Sequence, residues 1–117
     1  MMMIKLYPLL LDTDAILLAS PVYFNNVSAQ LKAFMDRTWC IRGRLKHKVG
    51  ACIVVGRRFG HESTANAIHT FFLKHEVIIA HRGVVGFAYT KGDIAKDKTA
   101  VDDTKSLAKV ISDLTQR

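Results

Sequence analysis

The feature that most constrains this chain is a set of short, almost purely apolar runs, each followed by a polar loop and a helical pattern. Ala15 to Ala19 reads Ala-Ile-Leu-Leu-Ala, Val49 to Val55 reads Val-Gly-Ala-Cys-Ile-Val-Val, and Val77 to Ala80 reads Val-Ile-Ile-Ala. Runs of this length without alternation are what strands covered on both faces look like. The first two are separated by a segment in which Val27, Leu31, Phe34 and Met35 fall at i, i+4, i+7 and i+8, one apolar stripe on a helix from about Val27 to Thr38. Asn25 or Asn26 is placed to cap it. A second helix is predicted over Thr64 to Lys74, with Ile68, Phe71 and Phe72 inward, and a third over Thr99 to Gln116, with Val101, Ala108, Ile111 and Leu114 inward. Asp102 and Asp103 fall in the first turn of that last helix, where the helix dipole favours them.

Strand, helix, strand, helix, strand, helix in that order predicts an α/β protein of three layers, a parallel sheet flanked by helices on both faces. Two segments read less cleanly. Ile4 to Leu11 fits the end of a helix or an irregular apolar lead-in, and Val84, Val85, Phe87 and Tyr89 fit a short strand or an ordered loop. With 117 residues the chain holds a single domain and is long enough to bury a core.

Composition narrows the function classes. Seventeen Lys and Arg against ten Asp and Glu give a formal charge of +7, which favours anionic partners. The basic residues are scattered and are not interleaved with aromatics in a recognised motif, which argues against nucleic acid. Cys40 and Cys52, the two cysteines, are too few for a disulfide framework or a zinc site. Cys52 sits in an apolar run and reads as core, and the reduced-thiol reading places the protein in the cytoplasm. Lys5 and Pro8 break the apolar N-terminus, so it makes a poor signal peptide, and no run is long enough to cross a bilayer. Five histidines invite a metal reading, but His69 and His75 are not at one-face spacing.

In a parallel sheet, ligands bind outside the carboxyl ends of the strands. Two loops occupy that edge. Ser20 to Asn26 carries Pro21, adjacent aromatics Tyr23 and Phe24, and the amides of Asn25 and Asn26. It leads onto a helix N-terminus, a setting for a flat, electron-rich ligand. Gly56 to Ser63 holds Arg57 and Arg58, either an anion grip or an exposed basic turn. Tyr23 and Phe24 read equally as a cover for the sheet edge.

The stretch Ala15-Ile16-Leu17-Leu18-Ala19-Ser20-Pro21-Val22-Tyr23-Phe24, followed by Asn26-Val27-Ser28-Ala29-Gln30-Leu31-Lys32-Ala33-Phe34-Met35-Asp36-Arg37-Thr38, resembles the NADPH-dependent FMN reductase branch of the flavodoxin-like superfamily. It is similar in particular to the iron–sulfur flavoproteins. The likeness continues through Lys48-Val49-Gly50-Ala51, Val54-Val55-Gly56-Arg57-Arg58-Phe59-Gly60 and Glu62, and more weakly at Gly92-Asp93-Ile94. The resemblance implies an FMN-dependent NAD(P)H oxidoreductase or electron-transfer flavoprotein. It places Pro21, Val22, Tyr23, Phe24, Asn25, Asn26, Val27 and Ser28 along the FMN ring, with backbone amides on the pyrimidine edge. Gly56, Arg57, Arg58, Phe59, Gly60 and Glu62 are placed over its other side. Asn25 stands where many relatives have Gly, and His61 departs from a more glycine-rich pattern. No catalytic acid or base and no metal ligand is implied.

Two family features have no counterpart in these residues: the Ser/Thr-rich phosphate loop that opens such proteins, and a cluster of four cysteines for an iron–sulfur centre. The chain therefore reads as one incomplete, truncated flavodoxin-like domain over residues 1–117, with FMN as its cofactor and no cluster of its own. In that fold the strand order is 2-1-3-4-5, and without strands 1 and 2 the strand Ala15 to Ala19 becomes an edge. An apolar edge pairs readily with another chain. The expectation is a homo-oligomer through Ala15–Ala19, or a second chain supplying the N-terminal part. The alternative to a redox role is a non-catalytic flavodoxin-like subunit that acts through such contacts.

Overall fold

The computed structural model describes residues 2–116, and the side chains of residues 5–116. Helix α1 (Met2–Asp12) leads into strand β1 (Ala15–Pro21), then α2 (Ala29–Arg37), β2 (Val49–Gly56), α3 (His61–Lys74), β3 (Ile78–Ile79), β4 (Val84–Phe87) and α4 (Lys98–Thr115). Short 3-10 turns follow α2 over Thr38–Ile41 and precede α4 over Asp93–Lys96.

All pairings are parallel, as the apolar runs predict. β1 lies beside β2 in register from Ala15 against Val49 to Pro21 against Val55. The other side of β2 is shared. β3 pairs with Val49 and Gly50, and β4 pairs with Ile53 to Gly56, so the two short strands line the same edge end to end. The break between them is Gly83, at φ +102, where a Cβ would lie 2.8 Å from Cys52 Sγ. The predicted strand over Val77 to Ala80 is thus only half of an interrupted one, and the Val84 run supplies the rest.

One core lies between the sheet and α1, α2 and α3. It joins Ile16 and Leu18 of β1 with Cys52 and Val54 of β2, Met35 of α2, and Ile68 and Phe72 of α3. Phe72 and Ile68 are wholly buried, and each such side chain contributes roughly 1.5–3 kcal/mol. The opposite face is a smaller core in which Ala51 and Val84 meet Ala100 and Leu107 of α4.

Several local expectations shift. The lead-in is a full helix despite Pro8 within it. β1 runs on to Pro21 and is covered on one face only: Ile16, Leu18 and Ser20 are buried, while Leu17 is half exposed. α4 packs over β2 and β4, and among the described residues no helix lies over the outer half of that face. α2 starts two residues later than its stripe suggests, because Ser28 and not Asn25 or Asn26 caps it; its hydroxyl accepts from Leu31 N–H at 3.2 Å. α3 starts earlier, at His61, which shortens the loop before it to Arg57–Gly60. In α4 Ala100 and Leu107 are buried and Ile111 packs against their core as expected, Val101 and Leu114 are partly buried, and Ala108 is exposed. Asp97 caps that helix, leaving Asp102 and Asp103 beyond its first turn.

Candidate functional site

The carboxyl ends of β1, β2 and β4 carry three loops that meet. The first is anchored at its base by Ser20, whose hydroxyl donates to Pro21 C=O at 2.8 Å and accepts from Ser28 N–H at 3.0 Å. Val22 N–H then donates to Val55 C=O, which continues the β1–β2 ladder. Beyond it Tyr23 and Asn26 exchange backbone hydrogen bonds of 2.9 and 3.0 Å, closing a tight turn. Its two central residues, Phe24 and Asn25, both have positive φ, at 48° and 61°. This is the type I′ geometry that Asn-Gly normally fills. Asn25 tolerates it; Phe24 does so at a cost, and its ring is fully exposed.

The second loop packs against the first through two glycines. A Cβ on Gly56 would lie 2.8 Å from Val22 Cγ2. One on Gly60 would collide with the Asn25 side-chain oxygen and lie 2.8 Å from Val22 Cγ1. Gly60 also has φ +89, a conformation that L side chains rarely adopt. The backbones therefore approach closely here, with His61 directly after Gly60. His61 is turned inward and buried, its Nε2–H donating to Gly86 C=O at 3.0 Å and its ring 4.1 Å from that of Phe87. It ties the start of α3 to the end of β4.

The third loop, after β4, is held by carboxylates. Asp97 accepts from Phe87 N–H at 2.9 Å, and Asp93 accepts from Tyr89 and Thr90 N–H at 3.2 and 3.0 Å. The Thr90 N–H and hydroxyl, with the Tyr89 N–H, lower the pKa of Asp93, and the Ala100 N–H, with that of Phe87, lowers that of Asp97. Tyr89 is thereby set against the second loop, with the Arg57 guanidinium 5.3 Å from its ring centre. Arg58 lies 5.1 Å from the ring centre of Phe59. Among the described residues neither arginine forms an ion pair.

Together Val22, Phe24, Asn25, Arg57, Arg58, Phe59 and Tyr89 line an open cleft of about 460 Å³. That is within the range of small-molecule sites. Aromatic faces and unpaired guanidinium groups suit a planar ligand that carries negative charge. Of the residues expected from the sequence, Val22, Phe24, Asn25, Arg57, Arg58 and Phe59 converge on the cleft, and Gly56 and Gly60 permit the convergence. Tyr23 and Asn26 form the turn that presents Phe24. Pro21 ends β1, Val27 is buried in the core, Ser28 caps α2, and Glu62 lies exposed in the first turn of α3. Tyr89 joins the wall without having been singled out for it. Its signal was its place just after an apolar run at the same sheet edge.

Among the described residues no three His, Cys, Asp or Glu side chains gather as metal ligands. Burial pushes the Cys52 thiol up to about 11, so it stays protonated beside His69 Nε2 at 3.4 Å. No helix among the described residues is long and apolar enough to cross a membrane.

A parallel sheet wrapped by helices, with a cleft built from three loops at its carboxyl edge, is the flavodoxin-like class of α/β protein. Solved structures agree: a Trp repressor binding protein from Bacillus subtilis superposes with a TM-score of 0.67 at 19% identity, covering 92% of this chain and 68% of that one. A flavodoxin, WrbA-like protein from Agrobacterium tumefaciens gives 0.63 at 17% identity, over 85% of this chain and 71% of the other. The family described as NADPH-dependent FMN reductase matches residues 1–92, and the chain belongs to it. An iron–sulfur flavoprotein of Methanocaldococcus jannaschii is 39% identical over 114 residues, 88% of this chain and 59% of its own length. Another from Methanosarcina thermophila is 34% identical over 116 residues, 92% of this chain and 61% of its own. The chain thus spans about three fifths of the length of these curated relatives.

Proposed function

We propose that the cleft between the three carboxyl-edge loops binds FMN and that the chain acts in an FMN-dependent oxidoreductase or electron-transfer flavoprotein, in the cytoplasm. The observation that carries this is the convergence of Phe24, Phe59 and Tyr89 with Arg57 and Arg58 on one cleft of about 460 Å³. These residues fit the cofactor's two chemistries. The aromatic faces offer stacking surface to the flavin ring, and Asn25 offers a side-chain amide for its polar edge. Arg57 and Arg58, unpaired among the described residues, offer charge to a phosphate of FMN or of NAD(P)H. Bound flavin supplies the redox chemistry, accepting and releasing electrons singly or in pairs. The protein's part is to orient the ring, shield one face and hold the phosphate charge, so no side chain need move a proton.

The family membership and the two flavoprotein relatives support the same reading. Titrating FMN into the purified protein tests it. The expected result is saturable quenching of flavin fluorescence, weakened at least tenfold in a variant carrying Arg57→Ala and Arg58→Ala. Unquenched fluorescence up to high micromolar FMN overturns the reading. A second reading, a flavodoxin-like subunit that works through association and not through redox chemistry, draws on the uncovered flank of β1. A well-folded protein that associates but ignores FMN would favour it.

A further inference from the structure

The three loops of the cleft leave three different strands, and one buried side chain sits where they converge. His61 opens α3 directly after the second loop and is 5% exposed. Its Nε2–H donates to Gly86 C=O at 3.0 Å, and its ring lies 4.1 Å from that of Phe87 at an interplanar angle of 33°. Gly86 and Phe87 are the last residues of β4, at the foot of the third loop. On its other side Nε2 uses space that Gly56 leaves open. A β-carbon on Gly56 would lie 3.1 Å from this nitrogen and 2.8 Å from Val22 Cγ2 of the first loop. His61 lies behind the cleft wall and not in it.

The third loop has other anchors, and they fix other things. Asp93 accepts from Tyr89 and Thr90 N–H, and Asp97 accepts from Phe87 N–H while capping α4. The aspartates therefore set the loop's own shape and tie it to α4. Ala88 N–H donates to Gly56 C=O, which carries the sheet ladder one residue further. None of these bonds reaches α3, the helix onto which the second loop leads. His61 does. The contact of Arg57 with the Tyr89 ring also spans the two loops, but Tyr89 is more than half exposed, and a cation–π contact in water is weak. A buried hydrogen bond is the stronger constraint, because breaking it strands a desolvated donor and acceptor.

We propose that His61 is the positioning residue of the cleft. Through Gly86 and Phe87 it fixes the third loop relative to the second, and so places Tyr89 on the wall beside Arg57. The proposal rests on the reading of this cleft as the FMN site only for the identity of the ligand. His61 touches no ligand and moves no proton; its effect on binding passes through Tyr89. The influence of His61 on FMN therefore exists only while Tyr89 is there to be placed.

A double-mutant cycle between His61 and Tyr89 tests this, read by FMN fluorescence titration and by the NMR shifts of the Arg57 side chain in the absence of flavin. His61→Ala should weaken FMN binding about tenfold, the scale of one buried hydrogen bond. In the Tyr89→Ala background the same change should alter affinity by less than about twofold, the signature of two residues that act as one. Without FMN, the ring-current shift that Tyr89 imposes on the Arg57 protons should vanish in His61→Ala as it does in Tyr89→Ala. His61→Gln keeps an N–H for Gly86 C=O and should restore both readouts in large part. His61→Leu, which fills the same buried space without a donor, replaces the alanine variant if that one does not fold. Equal losses of affinity with and without the Tyr89 ring overturn the proposal, since His61 would then act on the fold at large. So does an Arg57 shift that survives removal of the imidazole. A wild-type protein that ignores FMN sinks the flavin reading alone, and the Arg57 shift still decides whether His61 places Tyr89.

Discussion

Phe24 is the residue at which local energetics and the proposed role part company. A β-carbon in the left-handed region costs about 1 kcal/mol or more, and Phe24 at φ 48° gains no buried contact in return, since its ring is fully exposed. Strain without local compensation is what binding positions show, because the return comes with the ligand. Phe24→Asn should therefore have effects of opposite sign. Asn suits the first central position of a type I′ turn, so stability in urea denaturation should rise by about 0.5–1 kcal/mol. Fluorescence titration should at the same time show weaker FMN binding, because a stacking face is gone. Loss of stability, or unchanged FMN affinity with a stable turn, would show that Phe24 is not held for the ligand. The sequence made the aromatic pair legible as unusual for a connection. It left open whether Tyr23 and Phe24 face a ligand or cover the sheet edge, because that depends on the turn closed by Tyr23 and Asn26, a backbone arrangement that their side chains do not announce.

At the scale of elements, Ser28 shows how the site is braced from behind. Its hydroxyl caps Leu31 N–H, and its own N–H reaches the Ser20 hydroxyl at the foot of the first loop. Ser28→Ala should cost about 1 kcal/mol in thermal or urea unfolding, the usual value of a lost N-cap. The Ser20 contact goes through the backbone and should persist. The cap was hidden in the sequence by Asn25 and Asn26, which are equally good capping residues but are consumed by the turn. Other features were missed for related reasons. A run such as Ala-Ile-Leu-Leu-Ala reports that both sides of a strand are apolar, and says nothing of whether a helix covers each side. Leu17 is half exposed because α4 sits over β2 and β4. Val77 to Ala80 and Val84 to Phe87 each look like a minor strand. That they share one edge of β2 follows from pairing, which periodicity does not contain. Tyr89 stayed outside the expected site for the same reason, since it enters only once β4 is placed beside β2. The alternation of apolar runs with helical stripes was legible because local apolar pattern marks both, and the two carboxyl-edge loops were legible because they directly follow β1 and β2.

For the molecule as a whole, the larger core contains a titratable group that its folding must keep neutral. His75 follows α3 directly and is 5% exposed. Thr38 donates to Met35 C=O at 2.7 Å, so its oxygen is left to accept from His75 Nε2–H at 2.9 Å. The other nitrogen, Nδ1, is buried without a partner. A proton added there would enter a site with no acceptor, against the edge-on ring of Phe71. Burial accordingly holds the His75 pKa below its usual value, and His69, beside the protonated Cys52 thiol, is shifted the same way. In the unfolded chain both return to about 6.5 and bind protons that the native state refuses. Stability from these two groups is thus complete above about pH 6.5 and declines as the pH falls through their native values. Asp93 and Asp97 are lowered by their backbone bonds, so their contribution is lost in a separate, more acid window, below about pH 4. The unfolding temperature should therefore fall in two stages on acidification. His75→Gln keeps a donor for Thr38 and carries no titrating group, so it should make the first stage shallower, leaving the part due to His69, and leave the second intact. A His75→Gln profile that still declines as steeply between pH 6.5 and 5 would mean that His75 is not the group whose protonation unfolds the core.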